Sequence, residues 1–344
     1  MLAKIVLSTI IFVPAMILKQ FSSRQPLLLI LVPIMVLGIL IPLYHLGFMR
    51  FSSVDYPVGQ WSQWLISIPW VGVSILSFLI ISGALLSNLL FNKHEFNPTP
   101  TYVPALVYSI IATTLSLISA NIPLLLALLS ILVGINYVLD VFRNSKALAP
   151  YFTAGFFFGV AAFCYPPFIA LIIGFWICVI NTRIFSWREF LLPLLAFVTP
   201  FLYWWAWKYW FGQLDSLILF KKLITYNPTD GPDWTDNYTK SFGIIIAITF
   251  VLALRSFVFL SDRSSNKARG IKRNFFILSL AIMASAAISI TFANEYAPEV
   301  ILIPITFVAG NWFTNYRYSL IAPFAFYALL ISSALFVLHA YRLF

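Results

Sequence analysis

The sequence has 344 residues, of which 61% are hydrophobic and 9% are charged, and its mean hydropathy is +0.94. A soluble globular domain carries about 25% charged residues, so this composition excludes an ordinary water-soluble fold. The net charge of +10 does not indicate nucleic acid, because basic ends of membrane helices beside anionic lipid produce the same excess. We expect an integral membrane protein whose main partner is the lipid bilayer.

Residues 1–25 precede the first long apolar run. The apolar stretch 5–18 is short and contains Pro14, and no small-residue cleavage site follows it, which disfavours a signal peptide. We predict an interfacial helix that stays attached to the protein, with an additional span as the alternative.

Apolar runs of membrane-spanning length fill the rest of the chain. A helical span needs roughly 20 mostly apolar residues, and these runs lack the alternation of barrel strands. We predict an all-α polytopic protein of about ten or eleven transmembrane helices that form one domain over 1–344. The predicted spans are 27–47, 68–90, 103–119, 122–140, 150–164, 167–181, 189–208, 242–261, 274–293, 298–312 and 319–340. The fifth, sixth and tenth are short, which leaves tilted, broken or re-entrant helices open.

Basic residues fall mostly on alternate gaps between the runs. With the N-terminus in the cytoplasm, 14 of the 21 basic residues lie on the inner side, which satisfies the positive-inside rule. Seven of the 11 acidic residues then lie on the outer side. We predict a bacterial inner-membrane protein whose chemistry lies in two long outer segments, 48–67 and 212–241. Seven tryptophans are expected near this outer surface, namely Trp61, Trp64, Trp70, Trp204, Trp205, Trp207 and Trp210.

The first outer segment carries an acid just beyond the first span. Asp55 lies among aromatic, proline and glycine residues, and a carboxylate in a partly dry cleft can act as a general base. Arg50 and Tyr56 are candidate substrate contacts beside it. The alternative is a solvated acid that pairs with Arg50.

The second outer segment combines bases and acids. Lys221 and Lys222 follow apolar residues at helical spacing, so they can hold a lipid phosphate or extend to ordinary headgroups. Asp233 and Asp236 are three residues apart and can share a divalent cation on one helical turn. A polar Asp-Gly-Pro-Asp turn accounts for the same residues.

Other polar groups lie at the ends of the predicted spans. Tyr165, before Pro166 and Pro167, predicts a tight outer turn and is a candidate substrate contact. Glu295 and Glu299 are expected at the outer membrane surface, Glu295 as a substrate contact and Glu299 as a favourable charge at a helix N-terminus. We expect an Asp140–Arg143 ion pair at the inner side. The cysteines, Cys164 and Cys178, are interpreted as buried small apolar residues.

The order of these features is similar to that of a known family. Segment 151–167, with small residues ahead of Tyr165, resembles a helical hairpin of the polytopic GT-C glycosyltransferases, as does the Leu/Pro-rich, Trp-ended segment 190–212. The resemblance covers roughly 27–212 and extends to bacterial inner-membrane proteins of similar length. It implies sugar transfer from a polyprenyl-phosphate donor, with Asp55 as base. Many members have two acids in the first loop and a large outer domain, whereas here Asp55 stands alone and no such domain follows.

Three functions remain open from the sequence. The first is GT-C-like transfer from a polyprenyl-phosphate-linked donor at the outer leaflet. The second is a non-catalytic membrane subunit that binds other membrane proteins through its aromatic outer face. The third is a transporter or lipid-handling protein, which ranks last because ionisable groups within the spans are few.

Overall fold

The computed structural model describes most of the chain, and its regular elements are helices. The described residues are 21, 28–45, 68–118, 120–141, 148–182, 187–212, 237–261, 266–290, 297–315 and 321–342. Within them the chain forms α-helices and short 310 segments, because a backbone surrounded by lipid must satisfy its own hydrogen bonds. The prediction of an all-α protein is therefore confirmed.

Eleven α-helices lie within the described residues. In chain order they are α1 (Leu28–His45), α2 (Pro69–Lys93), α3 (Val103–Ile118), α4 (Ile122–Asp140), α5 (Leu148–Cys164), α6 (Leu171–Thr182), α7 (Trp187–Trp210), α8 (Asn237–Ser261), α9 (Asn266–Ile288), α10 (Leu302–Thr314) and α11 (Ile321–Arg342). Two 310 segments, Pro166–Ala170 and Pro298–Ile301, precede α6 and α10.

Contacts between helix ends define two ends of the bundle. At the first, Lys93 at the end of α2 bonds to Asp140 at the end of α4. We call this the Lys93 end. At the second, the Tyr165 hydroxyl beyond α5 bonds to Ser289 beyond α9. We call this the Tyr165 end, and the Tyr44 and Trp70 rings, 5.6 Å apart between centroids, also meet there.

Length and composition identify the helices that can cross a membrane. Six described helices are long and apolar enough, namely α2, α4, α7, α8, α9 and α11, and four shorter apolar segments accompany them. The chain is therefore a membrane protein by these criteria. The count of ten or eleven spans stays a prediction.

The predicted helix boundaries differ most from the structure at α9. The sequence interpretation started this span at 274, whereas the helix begins at Asn266. The four basic residues in between were assigned to a loop, yet charged side chains do not prevent a helix, because the backbone hydrogen bonds that define the helix do not involve them. Similarly, α8 begins at Asn237 rather than 242, and α2 continues to Lys93 rather than 90.

Little of the predicted N-terminal helix over 1–25 lies within the described residues. Phe21 is described and is buried. Its carbonyl oxygen accepts hydrogen bonds from the Tyr102 amide at 2.8 Å and from the Thr101 hydroxyl at 3.3 Å. Phe21 therefore packs on the turn between α2 and α3, at the Lys93 end.

The end of α2 is a Schellman motif without the usual glycine. The Phe96 amide donates to the Phe91 carbonyl at 3.2 Å, and the Glu95 amide donates to the Asn92 carbonyl at 3.3 Å, which is the paired pattern of this helix end. Glu95 takes the left-handed position with φ of 55°. The Phe91 and Phe96 rings stack at 5.5 Å and supply the hydrophobic contact that completes the motif.

We expect Glu95→Gly to be more stable than Glu95→Ala by about 0.5–1 kcal/mol. Both variants lose the carboxylate, and only Ala keeps the Cβ that raises the energy of a left-handed backbone, an effect that exceeds the extra chain entropy of Gly. Unfolding of the purified protein by titrated denaturing detergent measures the difference. Equal stability of the two variants contradicts the strain at this position.

Candidate functional site

Most of the predicted site residues lie outside the described residues. These are Arg50, Asp55, Tyr56, Lys221, Lys222, Asp233, Asp236 and Glu295. The helices that flank these segments are described. For the first segment, α1 ends at His45 and α2 begins at Pro69, both at the Tyr165 end. The same holds for α7 and α8, which flank the second segment. The predicted roles of these side chains stay predictions.

Tyr165 is described, and it forms the predicted turn. It follows α5 directly and its carbonyl oxygen accepts from the Phe168 amide at 3.0 Å, which starts the 310 segment at Pro166. The side chain is fully buried, and its hydroxyl is hydrogen-bonded to the Ser289 hydroxyl. Tyr165 therefore ties the turn after α5 to the end of α9, and its predicted contact with substrate stays a prediction.

An apolar cavity of about 270 Å³ lies near this end of the bundle. Its walls come from the end of α3, the first half of α8, the end of α9 and the second 310 segment. Representative lining residues are Ile118, Ile246, Ala286 and Ile301. Thr239 is the polar side chain among the lining residues, so the cavity is suited to hydrocarbon rather than to a charged group.

The cavity opens toward the surface of the bundle between α8 and α9. Ala247 and Ile290 line it and are both exposed, Ile290 by 44%. In a bilayer, the surface of these two apolar helices contacts lipid chains. A hydrocarbon chain can therefore reach the cavity from the side.

Glu299 differs from its predicted environment. It lies in the first turn of the 310 segment, as expected for a favourable charge at a helix start, but it is 1% exposed rather than at the surface. Its neighbours Pro298 and Ile301 line the cavity. The sequence interpretation missed this burial because two acids around a proline turn are typical of a solvated loop.

A second polar cluster lies at the Lys93 end. The Lys93 ammonium donates to Asp140 at 2.6 Å and to the Asn136 side-chain oxygen at 2.8 Å. The His94 Nε2 lies 3.2 Å from the same Asn136 oxygen. The ion pair of Asp140 is thus with Lys93 on another helix, while Arg143, its predicted partner, lies outside the described residues. Asn136 and Asp140 are one helical turn apart, so both side chains lie on one helix face. This spacing indicates a shared partner, and the sequence analysis overlooked it.

Cysteine and metal chemistry find no support in the described part of the chain. Cys164 and Cys178 are free and buried, which confirms their interpretation as apolar packing residues. Among the described residues, no group of three or more metal-binding side chains occurs. The predicted cation pair, Asp233 and Asp236, lies outside them.

The tryptophan prediction can be compared only in part, because Trp61 and Trp64 lie outside the described residues, and the outer side of the membrane stays a prediction. Trp70 at the start of α2 and the cluster from Trp204 to Trp210 at the end of α7 all lie at the Tyr165 end. Trp70, Trp205, Trp207 and Trp210 are exposed, as expected for side chains at a membrane interface.

Comparisons with protein families, with curated proteins and with solved structures give no match to this chain. The functional conclusion therefore depends on the geometry and on the sequence patterns.

Proposed function

We propose that the protein transfers a sugar from a polyprenyl-phosphate-linked donor at the Tyr165 end of the bundle. In the proposed orientation this end faces the outer side of a bacterial cytoplasmic membrane, in agreement with the positive-inside rule. The observation that carries the proposal is the lateral apolar cavity of about 270 Å³ between α3, α8 and α9.

The size and lining of the cavity support a hydrocarbon ligand. An apolar cavity of roughly 150 Å³ in a soluble protein stays free of water and takes up benzene. The present cavity is larger and opens toward lipid, so several carbons of an isoprenoid chain fit within it. Thr239, at the start of α8, is the polar lining residue that suits contact with a headgroup.

The proposed chemistry lies beyond other helix ends at the same end of the bundle as this cavity. Asp55 belongs to the segment between α1 and α2, whose neighbouring helix ends lie at the Tyr165 end. Its carboxylate takes the proton of an acceptor hydroxyl, the hydroxyl oxygen bonds to C1 of the sugar, and the bond from C1 to the phosphate oxygen breaks. Polyprenyl phosphate leaves with the electron pair, and Arg50, Lys221 or Lys222 contacts its phosphate.

The test separates the lipid site from the catalytic acid. Ala286→Phe fills the cavity, and we expect crosslinking of a photoreactive polyprenyl phosphate to fall about tenfold, since about two methylenes lose their burial. Asp55→Asn should abolish sugar transfer in membranes supplied with polyprenyl-phosphate hexose while crosslinking persists. Ala287→Phe is the matched control, because Ala287 is the next residue and is exposed.

Each outcome has a defined meaning. Unchanged transfer by Asp55→Asn removes the enzymatic assignment, and unchanged crosslinking of Ala286→Phe removes the cavity as the chain site. A fall in both Ala→Phe variants indicates a general disturbance of α9 and also counts against the cavity.

A non-catalytic membrane subunit is the second candidate, and the surface of α7 favours it. The end of α7 exposes Trp205, Trp207 and Trp210, the last by 84%, and such rings suit either an interface with lipid or a neighbouring membrane protein. This function predicts normal behaviour of Asp55→Asn and a stable complex of defined composition. Transport ranks third, and substrate-dependent flux in proteoliposomes would raise it.

A further inference from the structure

A dense group of basic residues opens α9 at the Lys93 end. The helix begins at Asn266, and Lys267, Arg269, Lys272 and Arg273 occupy its first two turns, with no acid in the first turn. The N-terminus of a helix carries a partial positive charge, so cations there are unfavourable and an anion is favourable. The helix itself provides no compensating negative charge.

Lys272 is the buried member of this group. It is 6% exposed, and its ammonium lies 5.9 Å from the ring centroid of Phe257 on α8. Among the described residues, no hydrogen bond or ion pair is found for this ammonium beyond that ring contact. Lysine is seldom buried to this extent unless it is paired, and a cation–π contact compensates for only part of the lost hydration.

Two of the other three basic residues, Arg269 and Arg273, lie close to Lys272 along the helix. Arg269 is one turn before Lys272 and Arg273, so the three side chains lie on neighbouring positions of one helix face. Arg269 and Arg273 are both exposed. Two exposed guanidinium groups on the same helix face as a buried ammonium suit the oxygens of a phosphate monoanion or dianion.

The surroundings favour a lipid phosphate over a protein carboxylate. Two described acids lie at this end: Asp140 is bonded to Lys93 at 2.6 Å, and Glu95 is exposed in the turn after α2 and has an interaction of its own. Residues Ala268–Ile288 form an apolar segment long enough to span a membrane, so Lys272 lies within reach of the headgroup layer. Phosphate is the abundant anion at that depth, and basic pockets between membrane helices are known to bind it.

We propose that Lys272, with Arg269 and Arg273 beside it on α9, binds the phosphate of an anionic lipid headgroup at the Lys93 end. The site lies at the opposite end of α9 from the apolar cavity and does not depend on the proposed transferase activity. Bound lipid there would join α8 to α9 through Phe257 and Lys272.

The experiment titrates lipids and phosphate against the purified full-length protein in neutral detergent. We expect phosphatidylglycerol to raise the midpoint of thermal unfolding, and phosphatidylcholine or inorganic phosphate at equal concentration to leave it unchanged. Lys272→Met should lower the apparent affinity for phosphatidylglycerol roughly fivefold, because one basic residue near a membrane surface contributes about 1 kcal/mol to lipid binding. Arg273→Met should lower this affinity by a similar factor, and Lys272→Arg should preserve the affinity.

Lys208→Met is the matched control. Lys208 also lies over an aromatic ring, 5.2 Å from Trp204, but at the Tyr165 end, so this variant should keep the response to phosphatidylglycerol. Equal effects of both lipids, or an unchanged response in both Lys272→Met and Arg273→Met, overturn the proposal. If inorganic phosphate raises the unfolding midpoint as much as phosphatidylglycerol does, the bound phosphate does not have to belong to a lipid, and the lipid assignment is overturned. Asp262 lies outside the described residues. If Asp262→Asn and Lys272→Met change the unfolding midpoint equally without any lipid, Lys272 forms an ion pair with Asp262 and the lipid site is overturned.

Discussion

Replacing Phe96 by alanine is expected to destabilise the protein by about 3–5 kcal/mol, the usual range for a buried aromatic residue. Phe96 is almost completely buried. Its ring centroid lies 5.5 Å from Phe91, 5.2 Å from Phe275, 5.1 Å from Phe307 and 6.5 Å from Phe257. A single substitution therefore opens a cavity where α2, α8, α9 and α10 meet.

The reason for the loss differs from that in a soluble core. Lipid chains are as apolar as the protein interior, so helix association in a bilayer depends on close packing more than on exclusion of water. The aromatic contacts of Phe96 are lost outright in the alanine variant, because a void has no atoms to replace them. The turn after α2 loses its hydrophobic contact as well, since Phe96 closes the Schellman motif.

Phe78→Ala is the control for this prediction. Phe78 lies on the same helix α2 and is 67% exposed, so lipid replaces its ring at little cost. Reversible unfolding in titrated denaturing detergent gives both values under the same conditions. A difference of less than about 1 kcal/mol between the two variants would contradict the packing role of Phe96.

The fold was largely predictable because long apolar runs leave few alternatives to helices. The limits of the runs were less reliable: hydropathy marks the part of a helix that contacts lipid, and the helix continues while its backbone groups find partners. The start of α9 shows this, since Lys267, Arg269, Lys272 and Arg273 belong to the helix. In the structure this polar beginning contains the buried Lys272, which no apolar pattern marks.

The candidate site was less accessible to prediction than the fold. Pro166 and Pro167 correctly predicted a turn, because two consecutive prolines remove two backbone donors and clash with the preceding helical turn. The bond from Tyr165 to Ser289, 124 positions later, depends on how α5 and α9 pack and leaves no local signal. The same is true of the cavity, whose walls come from four separate elements.

Small residues of α5 lead to the second large stability effect. The Gly155-x-x-x-Gly159 spacing predicts close approach of another helix, and α7 is the helix that approaches. A Cβ placed on Gly155 would lie 2.6 Å from the Pro193 carbonyl oxygen and 3.1 Å from the Ala196 Cβ. A Cβ on Gly159 would collide with the Phe197 carbonyl oxygen. Gly155 and Gly159 are therefore packing residues between α5 and α7.

We expect Gly159→Ala to destabilise the protein by about 1–3 kcal/mol, and Gly159→Val by more, because overpacking here meets backbone rather than a flexible side chain. Relief requires α7 to move as a unit, and α7 carries the Trp-rich surface at the Tyr165 end. Gly38→Ala on α1 is the control: no atom lies within 4 Å of its added Cβ, so the helix should gain about 0.5–1 kcal/mol or stay unchanged. Detergent unfolding compares the signs. If Gly159→Ala stabilises the protein as Gly38→Ala does, α5 and α7 are not in close contact, and the aromatic surface of α7 does not depend on α5 for its position.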